Sequence, residues 1–240
     1  MGDSTLDKLQ PSDVVAFVHA KGKSERLPGK NLADLGGIPL VAHAVKAAMN
    51  AERVGRVVID SDSDEILDVG KAYGAEPLKR PEGMATNSTS GDDLAYWQAR
   101  NAGSAKVIVQ VVPTCPFTRP ETIDRAVGMA NRMNTVIAVR EERLYRWNAV
   151  VDYLLIDVAS ASTDGPPNSR DLSPTVWETT GLYVMATESV LRTHRRFNPR
   201  KNPQACVKVS AIEAIDINTQ EDLDFARIVW AGIQVTKGQT

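Results

Sequence analysis

The chain has 240 residues, 42% of them apolar, and its 30 acidic and 28 basic side chains leave a net charge of -2. That length and apolar content suit one domain with a real core, and the near-neutral balance argues against general attraction to nucleic acid or to a membrane surface. Two cysteines, Cys115 and Cys206, cannot build a disulfide framework. No apolar run approaches the roughly 20 residues of a membrane span, and the polar start MGDSTLDKLQPSD lacks the apolar centre of a signal peptide. The expectation is a cytoplasmic protein.

In chain order, VVAFV at residues 14–18 predicts a buried strand. HAKGKSERLPGKN, residues 19–31, follows it and sets Lys21, Lys23, Arg26 and Lys30 among Gly22, Pro28 and Gly29. Residues 39–51 carry Leu40, Val41, Ala44, Val45, Ala48 and Met49 at helical spacing, with proline at the start. VVI at 57–59 predicts a second strand, 62–73 a helix stopped by Gly74, and 91–102 a further helix. VIVQVV at 107–112 is a third strand. Residues 118–121, TRPE, have capping-box spacing and open a helix running towards Met133. TVIAV at 135–139 is a fourth strand.

The rhythm breaks after Arg140. YRWNAVVDYLLI, 145–156, mixes aromatic and β-branched residues and predicts an excursion of strands, and 159–169 a small-residue polar loop. The sheet pattern resumes at 181–185. The apolar segment AIEAIDI precedes 219–222, TQED, a second capping-box start. The helix after it puts Leu223, Ala226 and Trp230 on one face.

Strand, loop and helix repeated four times predict an α/β domain over 1–240, with a largely parallel sheet flanked by helices. Such sheets take ligands in the crevice beyond the carboxyl ends of their strands. The cationic loop leaves the first strand at that end. It matches neither the Walker A pattern nor G-x-G-x-x-G. Its glycines let backbone N–H groups approach phosphate oxygens, and its cations neutralise their charge. From these residues alone, a phosphate cradle and a solvated loop are equally supported.

HAKGKSERLPGKNLADLGGIPL resembles the N-terminal signature of the sugar cytidylyltransferases, particularly the CMP-sialic acid synthetase (acylneuraminate cytidylyltransferase) family: a hydrophobic strand, A-R-G-G-S-x-R-L-P-x-K-N, then G-x-P-L. VVIDSDSDEI, AEPLKRPEGMATNSTS, VVPTCPFTRPETID and EAIDINTQEDLDFA resemble later stretches of the same family, in its order. The resemblance implies a Rossmann-like nucleotidyltransferase fold. It also implies an enzyme in which the hydroxyl of an acidic sugar, such as a nonulosonic acid, attacks the α-phosphorus of CTP and pyrophosphate leaves. The alternatives kept open are another acid acceptor, either a different 3-deoxy-2-keto sugar or a phosphonate, and a nucleotide-binding module with little catalysis.

The resemblance also implies roles. Lys21 and Lys30 would hold the triphosphate and stabilise the leaving pyrophosphate, with Ala20, Gly22, Arg26 and Asn31 completing the loop; Lys23 is expected to be an exposed bystander. Arg80 would lie near the nucleotide, or else be a surface arginine. Thr89 and Ser90 would line the cytidine pocket, cap a helix, or do both. Asp216 would bind Mg²⁺ or Mn²⁺ and be catalytic; Asn218 stands where the family has a second aspartate and is a candidate ligand through its uncharged amide oxygen, and Asp62 is a further candidate ligand. Asp60 and Asp64 are expected to be solvated helix-start residues.

On the acceptor side, Arg170 would bind the carboxylate, and Arg119 could stand in for an arginine that Thr118 replaces. Val112, Glu178, Thr180, Gly181 and Tyr183 depart from the family pattern there. Cys115 reads as a buried small residue, since His19, His43 and His194 lack motif support as partners. Residues 141–178 fall where the family inserts a dimerisation subdomain, so a homodimer is expected, with Tyr145, Trp147, Tyr153, Leu154 and Leu155 as candidate apolar contacts.

Overall fold

A computed structural model describes residues 9–130, 133–150, 153–156, 168–197 and 204–237. The chain opens with strand β1 (Val14–His19), followed by the cationic loop and one 3-10 turn at Lys30–Leu32. A small hairpin, β2 (Asp34–Leu35) and β3 (Ile38–Pro39), leads into helix α1 (Leu40–Met49). Next come β4 (Arg56–Ser61), α2 (Asp64–Ala72), β5 (Glu76–Lys79), α3 (Gly91–Arg100), β6 (Val107–Val111), α4 (Pro120–Ala130) and β7 (Thr135–Glu142). A second hairpin, β8 (Trp147–Val150) and β9 (Tyr153–Ile156), precedes β10 (Thr175–Ala186), α5 (Thr187–Thr193), β11 (Ala205–Lys208) and α6 (Gln220–Lys237).

Seven strands form the main sheet in the order β11-β7-β10-β6-β1-β4-β5. β5, β4, β1 and β6 run parallel, β10 is antiparallel to both β6 and β7, and β11 is parallel to β7. The expected α/β architecture with a mostly parallel sheet is therefore present. β1 is apolar on both faces because both faces are covered. Val14, Ala16 and Val18 pack with Val41, Val45, Ile66 and Ile123 on the side of α1, α2 and α4. Val15 and Phe17 pack with Ala95, Ala99 and Val190 on the side of α3 and α5.

The helix starts follow local chemistry. Ser63 caps α2, and Ser90 forms a capping box with Asp93 at α3. Thr219 and Asp222 exchange the same reciprocal bonds at α6. The capping expectation at residues 118–121 is corrected. The Thr118 hydroxyl donates to the Cys115 carbonyl at 3.0 Å. The buried carboxylate of Glu213 meets the start of α4 instead, accepting from the Arg119 amide and, at 2.6 Å, from the Thr122 hydroxyl. Glu213 belongs to AIEAIDI, which forms turns rather than a strand.

Helix α6 lays Leu223, Ala226 and Trp230 onto Leu35, Leu40, Phe117 and Ile217. Gly36 makes this docking possible: its φ is +66°, and a Cβ there would lie 2.0 Å from the Trp230 indole nitrogen. Beyond the sheet proper, β7 and β10 continue as a paired ribbon, with Thr175 opposite Glu142. Val176 and Trp177 on β10, Trp147 on β8 and Leu144 between β7 and β8 are each about half exposed. The side chains of Tyr153, Leu154 and Leu155 lie outside the described residues.

Candidate nucleotide site

The loops that leave the carboxyl ends of β1, β5 and β6 surround a cleft of about 550 Å³. Ala20, Lys21, Arg26, Lys30 and Asn31 line one side; Arg80 and Thr89 line another. The loop is held at both ends and across its mouth. At its start the Gly22 amide donates to Asp62 at 2.9 Å, and the Asn31 side chain donates to the Lys21 carbonyl at 2.9 Å. Across the mouth, Lys21 donates to Asn87, which in turn donates to Glu25. At its end Arg26 donates to the Asn218 side-chain oxygen at 2.7 Å, and Lys30 donates to the Ile217 carbonyl at 3.0 Å.

Lys30 is only 8% exposed. Burial draws its pKa below the ordinary lysine value, and the charge of Asp216 works in the opposite direction. A lysine so placed loses most of its hydration, so an arriving phosphate oxygen faces a weakly solvated cation. Lys23 is exposed, as expected.

Arg80 is not a surface residue. It is 3% exposed and grips Asp60, donating from Nε to Oδ1 at 2.9 Å and from Nη2 to the carbonyl at 2.8 Å. Asp60, expected as a solvated residue, is fully buried, and this is a correction. It also accepts from Gln98 at 3.0 Å, and Gln98 accepts from Gln110 at 2.8 Å. A buried charge is retained when it is paired and hydrogen-bonded, and this one is both. Asp64 is exposed and bridges Lys79 at 2.6 Å. Thr89 shares a hydrogen bond with Thr86, while the Ser90 hydroxyl is spent on the α3 cap.

Residue-type motifs gave no signal for His19. It ends β1, lines the cleft, and its Nδ1 is buried without a partner. Burial, reinforced by Arg80, lowers its pKa from 6.5 to about 4, so the ring is neutral at physiological pH.

Among the candidate metal ligands, Asp216 keeps Oδ1 buried and unpartnered, while Oδ2 accepts from the Asn218 amide at 2.7 Å. Asp216 is not part of the cleft lining and reaches the loop through Asn218, which holds Arg26 and Lys30; its unsatisfied oxygen suits a hard cation. Asn218 spends its own oxygen on Arg26 and Lys30. Asp62 stands at the other end of the loop, on Gly22. Among the described residues, no three acidic, histidine or cysteine side chains gather into a metal-sized group.

On the acceptor side Val112 lines the cleft, whereas Arg119 and Arg170 stand apart from it. Arg119 pairs with Glu213 at 2.6 Å, and Arg170 is largely exposed beside Asp171 at 3.7 Å. Glu178 accepts from the Tyr183 hydroxyl, and the Arg196 guanidinium lies 4.4 Å from the centre of the Tyr183 ring. Cys115 is buried as expected, and desolvation pushes its thiol well above the usual range, which rules out ready nucleophilicity. Gly181 packs on it: a Cβ there would approach the Cys115 sulfur to 3.0 Å.

A family model described as cytidylyltransferase matches residues 15–235. CMP-N,N'-diacetyllegionaminic acid synthase of Legionella pneumophila is 38% identical over 120 residues, 48% of this chain and 51% of that protein. N-acylneuraminate cytidylyltransferase A of Danio rerio is 29% identical over 62% of this chain and 35% of its own length. The matches therefore span about half or less of these two relatives. Pseudaminic acid cytidylyltransferase of Campylobacter jejuni is 24% identical, with 90% and 95% covered. Among solved structures, a CMP:2-keto-3-deoxy-manno-octonic acid synthetase complexed with CTP superposes with a TM-score of 0.69 at 16% identity, over 91% of this chain and 98% of that one. At that identity the likeness concerns the fold.

Proposed function

The chain belongs to the cytidylyltransferase family, and from that premise we propose that it joins CMP from CTP to the hydroxyl of an acidic sugar of the nonulosonic type, releasing pyrophosphate. The observation that carries this reading is the cleft itself. Lys21, Arg26 and Lys30 line one side of it, Arg80 and Thr89 another, and the unpartnered oxygen of Asp216 belongs to the segment that holds the loop.

In this reading the base and ribose lie towards Arg80 and Thr89, and the phosphates lie along the loop. Asp60 fixes the Arg80 guanidinium, so that arginine meets its ligand without reorganising. The sugar hydroxyl forms a bond to the α-phosphorus as the bond to the bridging oxygen breaks. Lys21, Lys30 and Arg26 then face the charge that gathers on the departing pyrophosphate. A divalent cation, Mg²⁺ or Mn²⁺, held by Asp216 would supply further neutralisation of the phosphate oxygens. Arg170 is the candidate for the acceptor's carboxylate, because its ion pair with Asp171 is long and exposed; Arg119 is already committed to Glu213. The exposed apolar side chains Leu144, Trp147, Val176 and Trp177, within residues 141–178, are the proposed homodimer contact.

Pyrophosphate release from CTP, measured over a panel of nonulosonic acids, other 3-deoxy-2-keto acids and phosphonates, tests the reading. Turnover with a nonulosonic acid is expected. Turnover only with another acid moves the acceptor class, and CTP binding without turnover on any acid leaves a binding module.

A further inference from the structure

Asn218 lies within a web of charge. Its oxygen accepts from Arg26 at 2.7 Å and from Lys30 at 3.4 Å, its amide nitrogen donates to Asp216 Oδ2 at 2.7 Å, and its backbone N–H donates to Asp222 at 2.9 Å. These neighbours fix the amide's orientation. Turned over, it would point N–H groups at two cations and its oxygen at a carboxylate.

An aspartate at this position would have no proton to give Asp216. Two carboxylates would then face each other at hydrogen-bonding distance, and one of them would need a cation or a proton between them. The amide removes that need. It satisfies Asp216 Oδ2 directly and leaves Oδ1 as that residue's one buried, unpartnered oxygen. It also holds Arg26 and Lys30 by a neutral oxygen. Exchanging a neutral acceptor for a triphosphate costs the two cations less than breaking an ion pair does.

We propose that Asn218 is a positioning residue that assembles the phosphate loop without a metal, so that CTP binds this chain independently of a divalent ion. Asn218 acts on the nucleotide through Arg26, Lys30 and Asp216 and is not itself a metal ligand. The inference rests on the cytidylyltransferase reading.

Calorimetric titration with CTP, without acceptor, in EDTA and in Mg²⁺ tests it. The wild-type Kd is expected to agree between the two within about threefold, less than 1 kcal/mol. Asn218→Asp is expected to weaken CTP in EDTA by about tenfold or more, with Mg²⁺ restoring most of the loss. Titration of Mn²⁺ alone, followed by its electron-spin signal, is expected to show tighter ion binding in Asn218→Asp than in the wild type. A wild-type Kd that worsens by more than about tenfold in EDTA overturns the proposal without touching the family reading. That measurement needs no variant, so a poorly folded substitution does not shield the idea. Equal EDTA-to-Mg²⁺ ratios in wild type and Asn218→Asp also overturn it. Absence of CTP binding under both conditions removes this proposal and the proposed CTP-dependent activity together.

Discussion

At the scale of single residues, His19 and Thr180 each hold a state that an unfolded chain would not choose. The His19 ring sits by Arg80, Asp60 and Arg196, and its pKa falls from 6.5 to about 4. Between those values the unfolded chain takes up a proton that the folded one refuses. Stability is therefore complete above pH 6.5 and declines as pH falls towards 4, by up to about 3 kcal/mol. His19→Gln should remove this part of the acid sensitivity; parallel urea midpoints for variant and wild type at pH 7 and 4.5 would contradict it. Thr180 has φ +58° at a break in the β10 register. A β-branched side chain is strained there, and asparagine is far better tolerated. Thr180→Asn should gain about 1 kcal/mol in chemical denaturation; an unchanged or lower midpoint would show that the strain is absent.

Among the elements, α3 is the clearest junction between fold and site. Its cap, Ser90, follows Thr89, which lines the cleft. Ser90→Ala should cost about 1 kcal/mol of stability, while Ser90→Thr, which keeps the hydroxyl that Asp93 accepts from, should keep the cap. CTP affinity that drops sharply in Ser90→Ala, at unchanged stability, would return Ser90 to the binding site. The parallel half of the sheet was legible because β1, the VVI of β4 and most of β6 are apolar and buried. β5 (EPLK) and β11 (ACVK) were not, because edge strands carry proline, lysine and little apolar pattern. The antiparallel placing of β10 was invisible too, since alternation does not report direction. In the site, the loop's cations could be read from local chemistry. The partners of the loop could not: Arg26 meets Asn218 and Lys21 meets Asn87 across long stretches of chain. Asp60 was misjudged because its sequence neighbours are acidic and polar, whereas its spatial neighbour is Arg80.

For the whole molecule, the exposed ribbon is the feature that single-chain folding does not explain. Trp147 and Trp177 are 53% and 47% exposed, and Leu144 and Val176 are each half exposed. Trp177→Asp should weaken the proposed homodimer by about tenfold or more, with little effect on CTP affinity, because the ribbon is no part of the cleft lining. Sedimentation at several concentrations reads the change; a wild-type monomer throughout would dismiss the dimer. No helix among the described residues is long and apolar enough to cross a membrane.

The position of β10 also sets an order of assembly. β6 and β7 are successive strands of the sheet, yet they are not neighbours; β10 separates them, and it begins only at Thr175. During synthesis VIVQV and TVIAV emerge first and must wait, the first with one edge unpaired and the second with both, until β10 has been made and turned back. Closure of the sheet is thus a late, long-range event. A nascent chain that stalls between Glu142 and Thr175 holds one open edge of β6 and both edges of β7, whose other partner, β11, comes later still, which makes that interval the one in which a chaperone has most to protect.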